Sequence, residues 1–137
     1  MPITAIIYAY RKPGLSPEDF KKHYEVHVDL VKKLAGNSFP SSHKRSYIAR
    51  TTVTTPPDDA TTRNAVTPAT VLSGQQSDFD FDAYAELTFP DQAAFGAFHA
   101  RVTAVDAAAQ IAADEGKFLD RSRLGIAMVG DVLETNA

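Results

Sequence analysis

Phe20, Tyr24, His27, Val31 and Leu34 follow one another at spacings of four, three, four and three residues. That rhythm puts all five side chains on one stripe of a helix. A helix built only for packing would carry Leu or Ile where His27 stands. Imidazole instead gives and takes protons near neutral pH, which is what a general acid or base must do. The structural alternative is a core histidine bonded to a backbone carbonyl. His23 lies one turn earlier, so both rings can point the same way. Such a pair binds zinc only with further ligands, and spacing signals no third; His99 or a carboxylate would have to arrive through space. A solvated helix edge suits His23 better, and no metal is expected.

Other residues could bind an aromatic, hydroxylated ligand around such a base. Tyr8, Tyr10, Tyr84 and Glu86 share a parity on two β-runs. They either line a site that stacks a ring and bonds its hydroxyls or fill an interface between two copies. Ala5, Ala9, Ala83 and Ala85, on the other parity, leave room for a ligand or for closely packed helices. Tyr24, Tyr47 and His99 join the candidate binding set. His43, Arg45, Tyr47 and Arg50 open another β-run. An arginine fork there suits a carboxylate or phenolate, although charged gatekeepers on a strand edge explain both arginines as well. Asp114 and Glu115 end a helix, where acids oppose the local dipole and call for a partner. That partner is either a structural Arg121 or Arg123, or the catalytic histidine. Asp78, Asp80 and Asp82 lack the calcium-loop pattern and read as a solvated strand start.

The elements that must position these residues are readable from pattern. Ile3 to Tyr10 is a strand closed by the Arg11-Lys12-Pro13-Gly14 turn. Ser16, Pro17 and Asp19 start a helix that Gly36 ends. A strand over roughly 44–53 follows. Then comes a stretch without periodicity, about 54–78, whose length fits a functional lid or a disordered excursion. A strand over about 81–89, a helix opened by Pro90, an alanine-rich helix over about 104–118 and a last strand over about 123–133 complete the chain. The order β-α-β, β-α-β predicts an α+β, ferredoxin-like antiparallel sheet with helices on one face. The uncovered face predicts a C₂ dimer.

At 137 residues the chain has the length of a single domain, and we read 1–137 as one. A net charge of −3 with mixed signs gives no reason to expect nucleic acid or an anionic membrane. No run reaches the roughly 20 apolar residues of a spanning helix, and no signal peptide is visible. With no cysteine, disulfides and thiolate chemistry are excluded, and a cytoplasmic setting is expected. Phosphate loops, dinucleotide fingerprints, nucleophile elbows and metalloprotease motifs are missing, so no cofactor is expected.

The segment Gly14-Leu15-Ser16-Pro17-Glu18-Asp19-Phe20, followed by the helix carrying His23, Tyr24 and His27, resembles the opening of the EthD family. Phe39-Pro40-Ser41-Ser42-His43, the Asp78–Asp82 strand start, Glu86-Leu87-Thr88-Phe89 and Asp114 through Asp120 resemble its fungal branch in the same order. The resemblance implies a dimeric α+β barrel and work on aromatic polyketides of secondary metabolism. It implies cofactor-free decarboxylation, dehydration or oxygenation, and among these we expect a cofactor-independent lyase, a dehydratase or decarboxylase, with His27 as acid/base and tyrosines and Arg50 positioning substrate oxygens. A cofactor-free, anthrone-type oxygenase and a non-catalytic small-molecule-binding dimer are the competing expectations.

Overall fold

The structure, a computed structural model, describes residues 1–137. Four strands form one antiparallel sheet: β1 (Ile3–Ala9), β2 (Ser42–Tyr47), β3 (Ala83–Phe89) and β4 (Gly125–Val129). Their spatial order is β2-β3-β1-β4, the expected ferredoxin-like arrangement, which makes β2 and β4 the edges. In register, Ile7 sits opposite Ala85 and Ile126, and His43 opposite Leu87. Alternation therefore gives one face to Ala5, Ile7, Ala9, Ala83, Ala85, Leu87 and Phe89, with His43, Arg45 and Tyr47 of β2 beside them.

That face is covered by α1 (Pro17–Ala35), α2 (Gln92–Val102) and α3 (Val105–Glu115). The α1 start follows its local chemistry. Ser16 Oγ accepts from the Asp19 N–H, Pro17 stands in the first turn, and Glu18 and Asp19 meet the positive end of the helix dipole. Gly36, at φ +58°, ends the helix by donating its N–H to the Lys32 carbonyl. α2 is capped by Asp91, which accepts from the Ala94 N–H, so the helix starts two residues beyond Pro90. Phe20, Tyr24, Phe118 and Leu119 pack on Ala9 and Ala83, while Phe95 and Phe98 pack around Phe89. The alanines of β1 and β3 let α1 approach this closely. Phe118 is 1% exposed, and its ring touches those of Phe20, Tyr24 and His27. Truncating a side chain so buried typically costs about 3–5 kcal/mol. No helix is long and apolar enough to cross a membrane.

The long segment between β2 and β3 is tied into the rest of the chain. It packs against one end of the sheet through a buried ionic network. Asp82 accepts from the Arg11 backbone N–H at 2.7 Å and pairs with the Arg11 guanidinium. Arg11 also donates to Asn64 and Thr67, and Asn64 donates to Asp80. Arg63 pairs with Asp120 and donates to the Arg11 carbonyl. Asp80 and Asp82, expected as a solvated strand start, are thus buried because three arginines, Arg11, Arg50 and Arg63, converge on them.

Candidate functional site

Between the sheet and the three helices lies a cavity of about 190 Å³. Ile7, Ala9, Leu87 and Ile126 form its floor; Val28, Val31, Phe98, Val102 and Ile111 form its roof. Of the 17 lining residues only His27, His43, Glu115 and, through its hydroxyl, Tyr24 carry polar side-chain atoms. A somewhat smaller apolar cavity, of about 150 Å³, holds benzene, so this one has room for one or two fused rings.

His27 is buried on the inward stripe of α1. Its Nδ1 lies 2.7 Å from an Asp114 carboxylate oxygen, and its Nε2 lies 3.9 Å from Glu115. A carboxylate at Nδ1 selects the tautomer with the proton there, leaving Nε2 with its lone pair. Asp114 and Glu115 occupy the last turn of α3, where the dipole disfavours them. Asp114 is also paired with Lys117, and Glu115 with Arg121. Both partners anticipated for these acids, an arginine and the histidine, are therefore present. Burial pushes the Glu115 carboxyl up, against the smaller opposing pull of His27 and Arg121. Glu115 therefore keeps its proton to higher pH than an exposed carboxyl would.

His43 reaches the cavity from edge strand β2, with Phe39 at 6.1 Å on its flank. Both ring nitrogens are shut off from solvent, and neither has a hydrogen-bond partner. Desolvation, with Arg45 and His27 adding to it, pushes its pKa down to about 4. The ring is neutral at pH 7. Tyr24, also lining the cavity, is pushed up to about 12 by burial and stays a phenol.

The remaining residues anticipated for the site lie elsewhere. His23 is exposed and stacks over Phe118, outside the cavity lining. Tyr47 donates to Glu25 at 2.5 Å, and Arg45 grips the same carboxylate at 2.7 and 2.8 Å, so that fork is occupied. Arg50 is held away from the cavity by Asp82 and by the carbonyls of Phe79 and Phe81. Tyr8, Tyr84 and Glu86 lie on the sheet face without helices, because their parity is opposite to that of Ile7 and Ala85. Tyr10 sits under Arg63 and Arg123, beyond the end of β1. His99 is exposed on α2 against Phe95. No group of three or more His, Cys, Asp or Glu side chains is arranged to hold a metal ion. His43 and Glu115, both read from the sequence in other roles, are what the structure adds to His27 and Tyr24.

The EthD domain family matches residues 12–122 of the sequence. This chain belongs to the EthD family. The matched span contains His27, His43, Asp114 and Glu115. An Arabidopsis thaliana protein, At3g17210, has a similar crystal structure, with a TM-score of 0.57 and 13% identity over 98% of this chain and 99% of the other. An EthD-family protein of Bacillus halodurans gives a TM-score of 0.52 and 15% identity over 95% and 99%. At such identities these two neighbours speak to the fold alone. No curated protein is matched by the sequence.

Proposed function

We propose that this EthD protein is a cofactor-independent lyase acting on a hydroxylated aromatic polyketide of fungal secondary metabolism. In this reading it works as a cytoplasmic homodimer, joined through the sheet face that carries Tyr8 and Tyr84. The observation that carries the proposal is the placement of His27 in an apolar cavity, with Asp114 at Nδ1 and Glu115 near Nε2. Asp114 orients the ring and stabilises the imidazolium that forms when Nε2 takes a proton. Glu115, whose carboxyl burial pushes up, is placed to supply a proton at the other end of the reaction.

Those roles fit a dehydration. His27 Nε2 removes a C–H proton next to an activating carbonyl, the electron pair forms the new double bond, and the hydroxyl leaves as water with the Glu115 proton. Return of the proton from His27 to Glu115, once the side chains close their 3.9 Å separation to hydrogen-bond distance, resets the site. Dehydration is favoured over decarboxylation because no lysine or arginine lines the cavity to receive a substrate carboxylate, and a carboxyl group already stands there. The motifs of the fungal branch, from Gly14-Leu15-Ser16 to Phe118-Leu119-Asp120, support the polyketide assignment. The test is to incubate the protein, without oxygen and with chelator, with hydroxylated aromatic polyketides and their carboxylic acids. Mass spectrometry would follow loss of water or carbon dioxide. Water loss under these conditions is expected. Turnover only in air, with an oxygen atom gained, would replace the lyase by the oxygenase.

A further inference from the structure

His43 is an anomaly by the rules that govern buried polar groups. An inward-facing position opposite Leu87 on an edge strand would ordinarily be filled by an aliphatic side chain. A neutral imidazole offers one N–H donor and one lone pair, and burying both unpaired is unfavourable. Groups of this kind are rare in native proteins and ask for a missing partner. None of the neighbours provides one, although His43 also borders a polar recess with Asp29, Lys32 and Ser42. Arg45 is engaged by Glu25, Phe39 presents only a ring, and the cavity wall beside His43 is apolar.

We infer that His43 is the anchor of the cavity's ligand, its ring hydrogen-bonding a hydroxyl or carbonyl oxygen on a largely apolar molecule of one or two fused rings. The inference rests on the reading of the cavity as a ligand site and adds to it what the ligand must carry. The lining selects the apolar body, and its volume limits the ring count. The uncharged His43 ring gives that oxygen a hydrogen bond and no counter-charge, which suits a hydroxyl or carbonyl. His27 and His43 then divide the work. One carries the proton-transfer chemistry at the α1 wall, and the other fixes the ligand's orientation from the β2 wall.

The test compares 2-naphthol with naphthalene, which share a body and differ by the hydroxyl. Binding of each is measured by titration against the wild-type protein, His43→Leu and His43→Gln. Wild type should prefer 2-naphthol by roughly tenfold, the worth of one good neutral hydrogen bond. His43→Leu should bind naphthalene undiminished and lose the preference, while His43→Gln, which keeps a donor and an acceptor, should retain part of it. Imidazole nitrogen resonances supply a second readout, the His43 pair being the one missing from the His43→Gln spectrum. They should move with 2-naphthol and stay in place with naphthalene. A folded His43→Leu protein that keeps the preference, or ring resonances that ignore 2-naphthol, would overturn the anchor role while leaving the cavity as a ligand site. If neither compound binds the wild-type protein, the ligand-site reading falls and the anchor role with it. Should His43→Leu fail to fold, the wild-type ring resonances decide.

Discussion

Two clusters of buried polar groups sit at different places in this small protein, and they are built on opposite principles. At one end of the sheet Arg11, Arg50 and Arg63 meet Asp80, Asp82 and Asp120, with Asn64 and Thr67 filling the gaps. The nitrogens of Arg50 and Arg63 that lack hydrogen bonds still belong to guanidiniums that lie against carboxylates, at 3.3 and 3.7 Å. In the cavity, by contrast, His27 has one nitrogen engaged by Asp114 and the other only near Glu115, while His43 has no partner. Charges that satisfy one another hold a 35-residue connection, residues 48–82, in place. Polar groups with spare hydrogen-bonding capacity beside an apolar cavity are suited to act on something else. The distinction is one of charge pairing, since each guanidinium of the first cluster lies against a carboxylate while the His43 ring has no polar partner.

The largest effect expected from breaking this contrast is on stability. Asp82→Ala leaves Arg11 and Arg50 buried without their shared carboxylate, and losing one partner of a buried pair typically costs about 3–5 kcal/mol. Urea denaturation should show that loss, while turnover per folded molecule stays at the wild-type level. Turnover collapsing without a stability loss would mean that the two clusters are one functional unit. Next in size is Asp114→Asn, which removes the carboxylate that fixes the His27 tautomer. Turnover should fall roughly a hundredfold, within the usual range for acid–base machinery. The loss should fall on kcat and not KM, with the urea midpoint little changed.

The smallest effect concerns acid. In the folded protein His43 titrates near 4, below its ordinary 6.5, so between these values the unfolded chain binds more protons than the folded one. Its contribution is therefore fully present above pH 6.5 and is lost as pH falls towards about 4. Thermal unfolding of His43→Leu should show a shallower decline of Tm across that window than the wild type. Parallel declines would show that His43 is not buried unpaired.

The fold was legible because each element carries a local signal. Ser16 and Gly36 bound α1, and the alternation of Ala83, Ala85 and Leu87 marks the inward face of β3. His27 was legible as well, since a lone imidazole interrupts an apolar stripe. Arg50 and Tyr84 were placed in the binding set because residue type suggested what they could bind, while the sequence does not say what they face. Parity on the sheet turns Tyr84 away from α1, and the buried Asp82 captures Arg50. Asp82 lies 71 residues from the Arg11 with which it pairs, a closure that no local pattern announces. His43 was masked for the same reason. It reads as part of a polar strand start, and only its alignment with Leu87 turns it inward.

The most direct measurement is the turnover of His27→Gln beside the wild type, at equal concentrations of folded protein. Glutamine keeps a hydrogen-bonding side chain of similar reach and cannot relay a proton. With His27 as the acid/base, turnover should fall by about a hundred- to ten-thousand-fold while the urea midpoint stays close to the wild-type value. A folded His27→Gln protein that turns over at the wild-type rate would contradict the assignment and leave His27 a core histidine held by Asp114.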